Sequence, residues 1–144
     1  MYQRILFAAD FSEDAVRVGE RAREIARRCG AQLSLIHVVE DVTISLGGGY
    51  ELLPVLPDLP DEALLQEARA ALGELARRLD VENAGLWVVN ALSTKEGILG
   101  AAREHQVDLI VVGSHGRHGL ALLLGSTANA VLHGAPCDVL AVRL

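Results

Sequence analysis

Short apolar runs alternate along this chain with longer stretches in which apolar residues recur every three or four positions. The first run, Ile5-Leu6-Phe7-Ala8-Ala9, has no polar position and ends at Asp10, which predicts a strand buried on both faces. Ser12 is placed to cap the helix that follows, whose stripe is Ala15, Val18, Ala22, Ile25 and Cys29. Arg27 and Arg28 suit the negative end of that helix, and Gly30 supplies its stop. Leu33 to Val39 reads as a second strand. Residues 40–58, with Gly47-Gly48-Gly49, Pro54 and Pro57, read as a long connection that partly covers an edge or end of the sheet.

Pro60 opens the next predicted helix, with Asp61 and Glu62 in its first turn and a stripe of Leu65, Ala68, Leu72, Leu75 and Leu79. Leu86 to Ala91 is the third strand. Ser93-Thr94-Lys95-Glu96 is a capping box that starts the third helix. Asp108 to Val112 is the fourth strand, and Gly113 to Gly125 is a glycine-bearing loop with an apolar stretch from Leu120 to Leu124. A last helix from Ser126 to His133 is ended by Gly134 and Pro136, and Val139 to Val142 closes the chain as a fifth strand. Strict strand–helix alternation predicts a single doubly wound α/β domain over residues 1–144, with right-handed crossovers and helices on both faces of a parallel sheet. No internal repeat, linker or low-complexity tract interrupts it.

Composition sharpens this picture. Of the 144 residues 51% are hydrophobic but only 3% aromatic, so the core is built from Ala, Val, Leu and Ile. A domain of this length buries roughly two-thirds of its unfolded surface, enough for a core without staples. The net charge of −6 argues against broad binding to nucleic acid or anionic lipid. Cys29 and Cys137 lie outside any CxxC pattern and read as small buried apolar residues. Met1 leads within a few residues into the first strand, with no signal-peptide core and no apolar run long enough to span a bilayer, so a reducing cytoplasm is expected.

Candidate chemistry collects where strands end. In open parallel sheets ligands sit beyond the carboxyl ends of the strands, where the winding reverses. Ala8-Ala9-Asp10-Phe11-Ser12 and Gly113-Ser114-His115-Gly116 face each other there if the first and fourth strands are neighbours. Gly113 and Gly116 let backbone N–H groups approach an anion, and Gly125-Ser126-Thr127 opens a helix whose free N–H groups suit phosphate. By pattern alone this segment reads equally well as a phosphate cradle or as ordinary turns. Neither GxxxxGK[ST] nor a GxGxxG after the first strand is present, which disfavours a P-loop and a dinucleotide site. The Gly47-Gly48-Gly49 run has no helix start behind it and reads as flexible chain. The histidines lack metal-ligand spacing. His118 reads as a solvated loop residue, and His37, His105 and His133 as structural or surface residues.

Arg4 to Ser12, Ser34-Leu35-Ile36-His37-Val38, Asp108 to Gly116, Leu122 to Ser126 and Ala135 to Val142 together resemble the universal stress proteins over essentially the whole chain. The resemblance implies a five-stranded parallel sheet of order 3-2-1-4-5, a homodimer, and ATP, with or without Mg2+, held by a motif Gly-x2-Gly-x9-Gly-Ser/Thr. Gly113, Gly116, Gly125 and Ser126 match its fixed positions, but Arg117 to Leu124 is eight residues, not nine. It further implies Ala8 and Val38 beside the adenine ring, Asp10 beside the nucleoside, and His115, Arg117 and Thr127 near the phosphates. Without the ligand, Ala8 and Val38 are equally core residues, Asp10 is equally a turn residue, and Arg117 is a solvated cation.

Three functional classes follow. The first is an ATP-binding regulatory or stress-protective protein that is not a turnover enzyme, although slow hydrolysis or autophosphorylation fits the same site. The second is a dimeric interaction protein that does not bind ATP, as in the branch like the enterobacterial A-type protein. The third is an adenylyl transferase or ATPase. It is disfavoured because no HxGH or SGGxDS motif occurs, and Asp10 and Asp138 are the only carboxylates expected near the loop, Asp138 at the far end. Val139-Leu140-Ala141-Val142 would be an apolar edge that needs covering, which predicts pairing with the same strand of a second copy. A further, unidentified protein partner fits a regulatory role.

Overall fold

A computed structural model describes residues 1–40, 62–114 and 124–144. The sequence readings that fall on 41–61 and 115–123 lie outside the described residues. They include the triple glycine, Pro60, Asp61, and the loop residues His115, Gly116, Arg117 and His118.

Five strands, β1 (Arg4–Ala8), β2 (Gln32–Glu40), β3 (Gly85–Ala91), β4 (Leu109–Gly113) and β5 (Asp138–Val142), alternate with four helices, α1 (Ala15–Cys29), α2 (Glu62–Arg78), α3 (Thr94–Glu104) and α4 (Ser126–Gly134). The strands form one sheet of order β3-β2-β1-β4-β5 with every pair parallel. The expected order therefore holds, and β1 lies at the centre. Ile5, Leu6 and Phe7 of β1 are buried because helices cover both faces.

Strand pleating sorts the core into two layers. Ile5, Phe7, Leu35 and Val111 pack with Ala15, Val18 and Ala22 of α1 and with Leu72 and Leu75 of α2. Leu6, Ile36, Val38 and Ile110 pack with Ile98 and Ala102 of α3 and with Ala128 and Val131 of α4. Each fully buried Leu, Ile or Phe contributes about 1.5–3 kcal/mol. The α2 stripe is buried as read at Ala68, Leu72, Leu75 and Leu79, while Leu65 is half-buried at the end near the carboxyl edge.

The helix ends largely obey their sequence signals, with one correction. Gly30 takes the left-handed conformation, φ 62°, and its N–H closes α1. Ser93 Oγ accepts from Glu96 N at 3.2 Å, the first half of the capping box. Ser12 does not cap α1: the N-cap position is Asp14, which makes no side-chain capping bond. The turn is set upstream instead, where Asp10 Oδ1 accepts from Ser12 N at 3.0 Å. Cys29 and Cys137 are half-buried rather than buried. Desolvation, reinforced by Asp138, raises the Cys137 thiol above its ordinary pKa and keeps it in the neutral form.

One contact was not visible in the sequence. The Asp108 carboxylate accepts from Gln3 N at 2.8 Å and from Arg4 N at 3.0 Å, so the residue before β4 fixes the start of β1. Asp138 sits at this same amino end, as expected, and accepts from Tyr2 Oη at 2.9 Å. Among the described residues no helix is long and apolar enough to cross a membrane.

Helix α3 lies close on β2 because Gly97 has no side chain: a Cβ there would stand 2.6 Å from Val38 Cγ2 and 2.7 Å from Val38 Cγ1. Val38 is β-branched and held in a strand, so it cannot swing away. Gly97→Ala is expected to cost about 1–3 kcal/mol from overpacking, less up to about 1 kcal/mol regained in helix propensity. The measurement is a urea midpoint lowered at unchanged slope; an unchanged midpoint would show that α3 relaxes freely off β2.

Candidate functional site

A sheet of this order sends its chain to opposite faces on either side of the β1/β4 boundary, which favours a crevice at the carboxyl ends there. At that place lies a cavity of about 940 Å3. It is lined from β1 by Ala8 and Asp10, from β2 by His37, Val38 and Glu40, and from the β4 and α4 side by Gly113, Gly125, Ser126 and Thr127. Of the two segments expected to face each other across a crevice, Ala8 to Phe11 and Gly113 line this cavity, while His115 and Gly116 lie outside the described residues. Of the ten residues singled out for the site, Ala8, Asp10, Val38, Gly113, Gly125, Ser126 and Thr127 converge on this one cavity. His115, Gly116 and Arg117 are outside the described residues.

The α4 end of the cavity is built around Ser114, which is buried. Its N–H donates to Val142 O at 2.8 Å, its carbonyl accepts from Gly125 N at 2.7 Å, and its Oγ accepts from Leu144 N at 3.3 Å. Ser114 therefore ties the end of β4 to the chain's last residues and to the start of α4. The Gly125 amide is consumed in this tie. The donors that remain at the helix start are the N–H groups of Ser126, Thr127 and Ala128, which helix geometry leaves without intrahelical acceptors. Together with the helix dipole they form an anion-attracting wall, to which the Ser126 and Thr127 hydroxyls add two donors.

The start of α3 is different. Glu40 Oε1 accepts from Thr94 N at 3.0 Å and from Thr94 Oγ1 at 2.9 Å, so a protein carboxylate already occupies that helix end. The starts of α3 and α4 are thus unequal: among the described residues α4 has no side-chain cap and no acid in its first turn. The opposite side of the cavity carries the carboxylates Asp10, Glu40 and Glu67. Glu40 and Glu67 were missed by the sequence reading, because a charge at the end of a strand or on the rim of a helix is indistinguishable from a solvated one until the crevice is seen. The cavity is polarised. It accepts hydrogen bonds on the β1–β2 side, donates them on the α4 side, and has Ala8, Ile36, Val38 and Ile98 between them.

His37, expected to be a structural or surface residue, also lines this cavity. Its Nδ1 lies 2.8 Å from Ala9 O, and since a carbonyl only accepts, Nδ1 carries the proton there. The ring stacks on Phe11 with centroids 4.1 Å apart. Phe11 itself has φ 56°, an uncommon conformation for a residue with a Cβ. Stacking on His37 from one side and the Asp10 turn from the other hold the β1 exit loop in this shape.

The fold and this cavity define the class: a doubly wound α/β domain whose ligand crevice opens at the switch between β1 and β4. The chain belongs to the universal stress protein family, whose profile matches residues 1–143. It is 45% identical over 144 residues to universal stress protein A homolog 2 of Coxiella burnetii, a match covering 99% of this chain and 96% of that protein. Among solved structures it resembles that of the hypothetical protein MJ0577, at 25% identity and a TM-score of 0.78, over 100% of this chain and 97% of the other. It also resembles a universal stress protein in complex with cAMP, at 24% identity and a TM-score of 0.71, over 98% and 97% of the two chains.

His37→Phe keeps the stacking and removes the donor to Ala9 O. The expected loss is about 0.5–1.5 kcal/mol, the net worth of one hydrogen bond, read as a lower thermal midpoint together with faster proteolysis near residue 11. Wild-type stability and cleavage would show that the β1 exit holds its shape without this bond.

Proposed function

We propose that this chain binds ATP in the β1/β4 crevice and acts as a regulatory or protective stress protein rather than as a turnover enzyme. The observation that carries the reading is the polarised cavity: an uncapped helix start on one wall, carboxylates on the other, and an apolar slot between them. Phosphates belong at Ser126 and Thr127, where N–H groups and the dipole favour negative charge. The hydroxyl- and amine-bearing nucleoside belongs near Asp10, whose carboxylate accepts hydrogen bonds and would repel phosphate. Ala8 and Val38 then flank the flat base. The reverse orientation would set phosphates against Asp10, Glu40 and Glu67. The cAMP bound by the related protein is itself an adenine nucleotide, which supports the base and the ribose more directly than it supports a triphosphate. Among the described residues no group of three His, Cys, Asp or Glu side chains could hold a metal ion, so Mg2+ enters this reading as a counter-ion carried on the phosphates. A cytoplasmic location belongs to the same reading.

The measurement is a thermal-shift series with ATP, ADP and AMP, with and without Mg2+. A ligand at a hundredfold excess over its dissociation constant stabilises the fold by roughly 2.7 kcal/mol. Ser126→Glu puts a carboxylate where the phosphates would lie. An acid in the first turn is stabilising by about 0.3–1 kcal/mol, so the free variant should melt no lower than wild type while losing the ATP shift. No shift of the wild type with any of the three nucleotides would favour the second class, an interaction protein that does not bind ATP, whose basis is the eight-residue spacing between Gly116 and Gly125.

The homodimer is part of the proposal. Strand β5 is a sheet edge whose residues Val139 to Val142 are only half-buried, and among the described residues no strand lies beside its outer backbone groups. Pairing with the same strand of a second copy covers both edges in one two-fold contact. Leu140→Lys should give monomer or aggregate by light scattering; an intact dimer would exclude this edge as the interface.

A further inference from the structure

A second, smaller cavity of about 320 Å3 lies at the opposite, amino-terminal end of the sheet, between β2, β3 and the end of α3. Its wall includes Ser34, which is 7% exposed. Among the described residues the Ser34 hydroxyl has no hydrogen-bond partner, a state that costs a buried polar group about 1–3 kcal/mol. Ser34 faces Gly85 across the β2–β3 pair. A Cβ at Gly85 would stand 2.8 Å from Ser34 Oγ and 3.2 Å from Trp87 Nε1. The hydroxyl and the indole N–H therefore both pack over the bare face of Gly85, which has no side chain to hold them off.

The rest of the wall fits a particular ligand chemistry. Arg4 Nη1 donates to Gln106 Oε1 at 2.8 Å and to His105 O at 3.5 Å, and among the described residues the Nε and Nη2 edge of the guanidinium has no acceptor. That edge matches a carboxylate in bidentate geometry. The Trp87 and His105 rings are stacked with centroids 4.2 Å apart and supply a flat wall. Glu104 on the rim disfavours a second negative charge on the ligand.

We propose that this cavity is a second ligand site, for a small planar monocarboxylate: the carboxylate on Arg4 and the Ser34–Trp87 donors, the flat body along the Trp87–His105 wall. Nothing in it depends on ATP binding at the other end of the sheet.

The chain has a single tryptophan, Trp87, so its fluorescence reads this site directly. The probe is benzoate, titrated into the full chain, with benzamide as the uncharged isostere. Benzoate should change Trp87 emission saturably and benzamide should not. Arg4→Gln should weaken benzoate about tenfold or more, the worth of a charge-assisted pair. Ser34→Ala should also weaken it without lowering the thermal midpoint, since the hydroxyl it removes makes no bond in the free protein. Saturating ATP should leave the benzoate curve in place. The proposal is overturned if benzoate is silent into the millimolar range, if benzamide or the Arg4→Gln variant responds equally, or if ATP displaces benzoate. A Ser34→Ala variant that melts well below wild type would overturn it too, because the hydroxyl would then be satisfied within the protein.

Discussion

The geometry of the molecule depends on where β1 sits. It is hydrogen-bonded to β2 on one side and β4 on the other, and it is buried against helices on both faces. The chain leaves β1 toward β2 by way of α1, on one face, and reaches β5 from β4 by way of α4, on the other. Right-handed crossovers make these departures diverge. Among the described residues no element crosses between the carboxyl ends of β1 and β4, and the crevice follows from winding rather than from any special residue. Asp108 serves this arrangement at a distance: its carboxylate holds the Gln3 and Arg4 amides and so sets the register of β1 against β4. A register slip of one residue would turn Ala8 and Asp10 to the opposite faces.

The alternation of apolar runs with helical stripes was enough to read the strand sequence, the helices and the ligand edge, because burial on both faces leaves a strand with no polar position to blur the pattern. What the sequence conceals are contacts between side chains and backbone far apart in the chain. Ser12 and Asp10 carry equally good chemistry for the turn before α1, and only the backbone path decides that Asp10 Oδ1 meets the Ser12 amide. His37 looks like an ordinary interruption of an apolar strand. Its role at the site comes from Ala9 and Phe11, which lie in the loop leaving the neighbouring strand. Ser34 reads as a polar intrusion in the same strand, and its lack of a partner is a three-dimensional fact. Gly125 lies at the crevice, but its amide is tied to Ser114, so the donors left at the start of α4 begin one residue later.

The two helix starts beside the crevice make the chemistry asymmetric. Both α3 and α4 begin at the carboxyl edge, and each presents unsatisfied N–H groups by the rules of helix geometry. Glu40 supplies a carboxylate to α3, so that end is neutralised by the protein itself. Among the described residues no side chain does the same for α4. An elongated ligand with one anionic end is thereby given a direction as well as a place, and the apolar floor between the ends sets the rigid part of that ligand against Val38.

Phe11 shows that the crevice is shaped before any ligand arrives. A residue with a Cβ in the left-handed region costs of order 1 kcal/mol, and such a conformation persists only when its surroundings over-determine it. Here the surroundings are the His37 ring beneath it, the core that packs its own ring, and the Asp10 turn that follows β1. The strain is carried by the folded chain and need not be met again on binding, so less of a ligand's interaction energy goes into ordering the loop. Preorganisation of this kind favours retention of a ligand in one pose. A change at the crevice would pass most directly through the surfaces that Ser114 connects: the start of α4, the end of β4 and the edge strand β5.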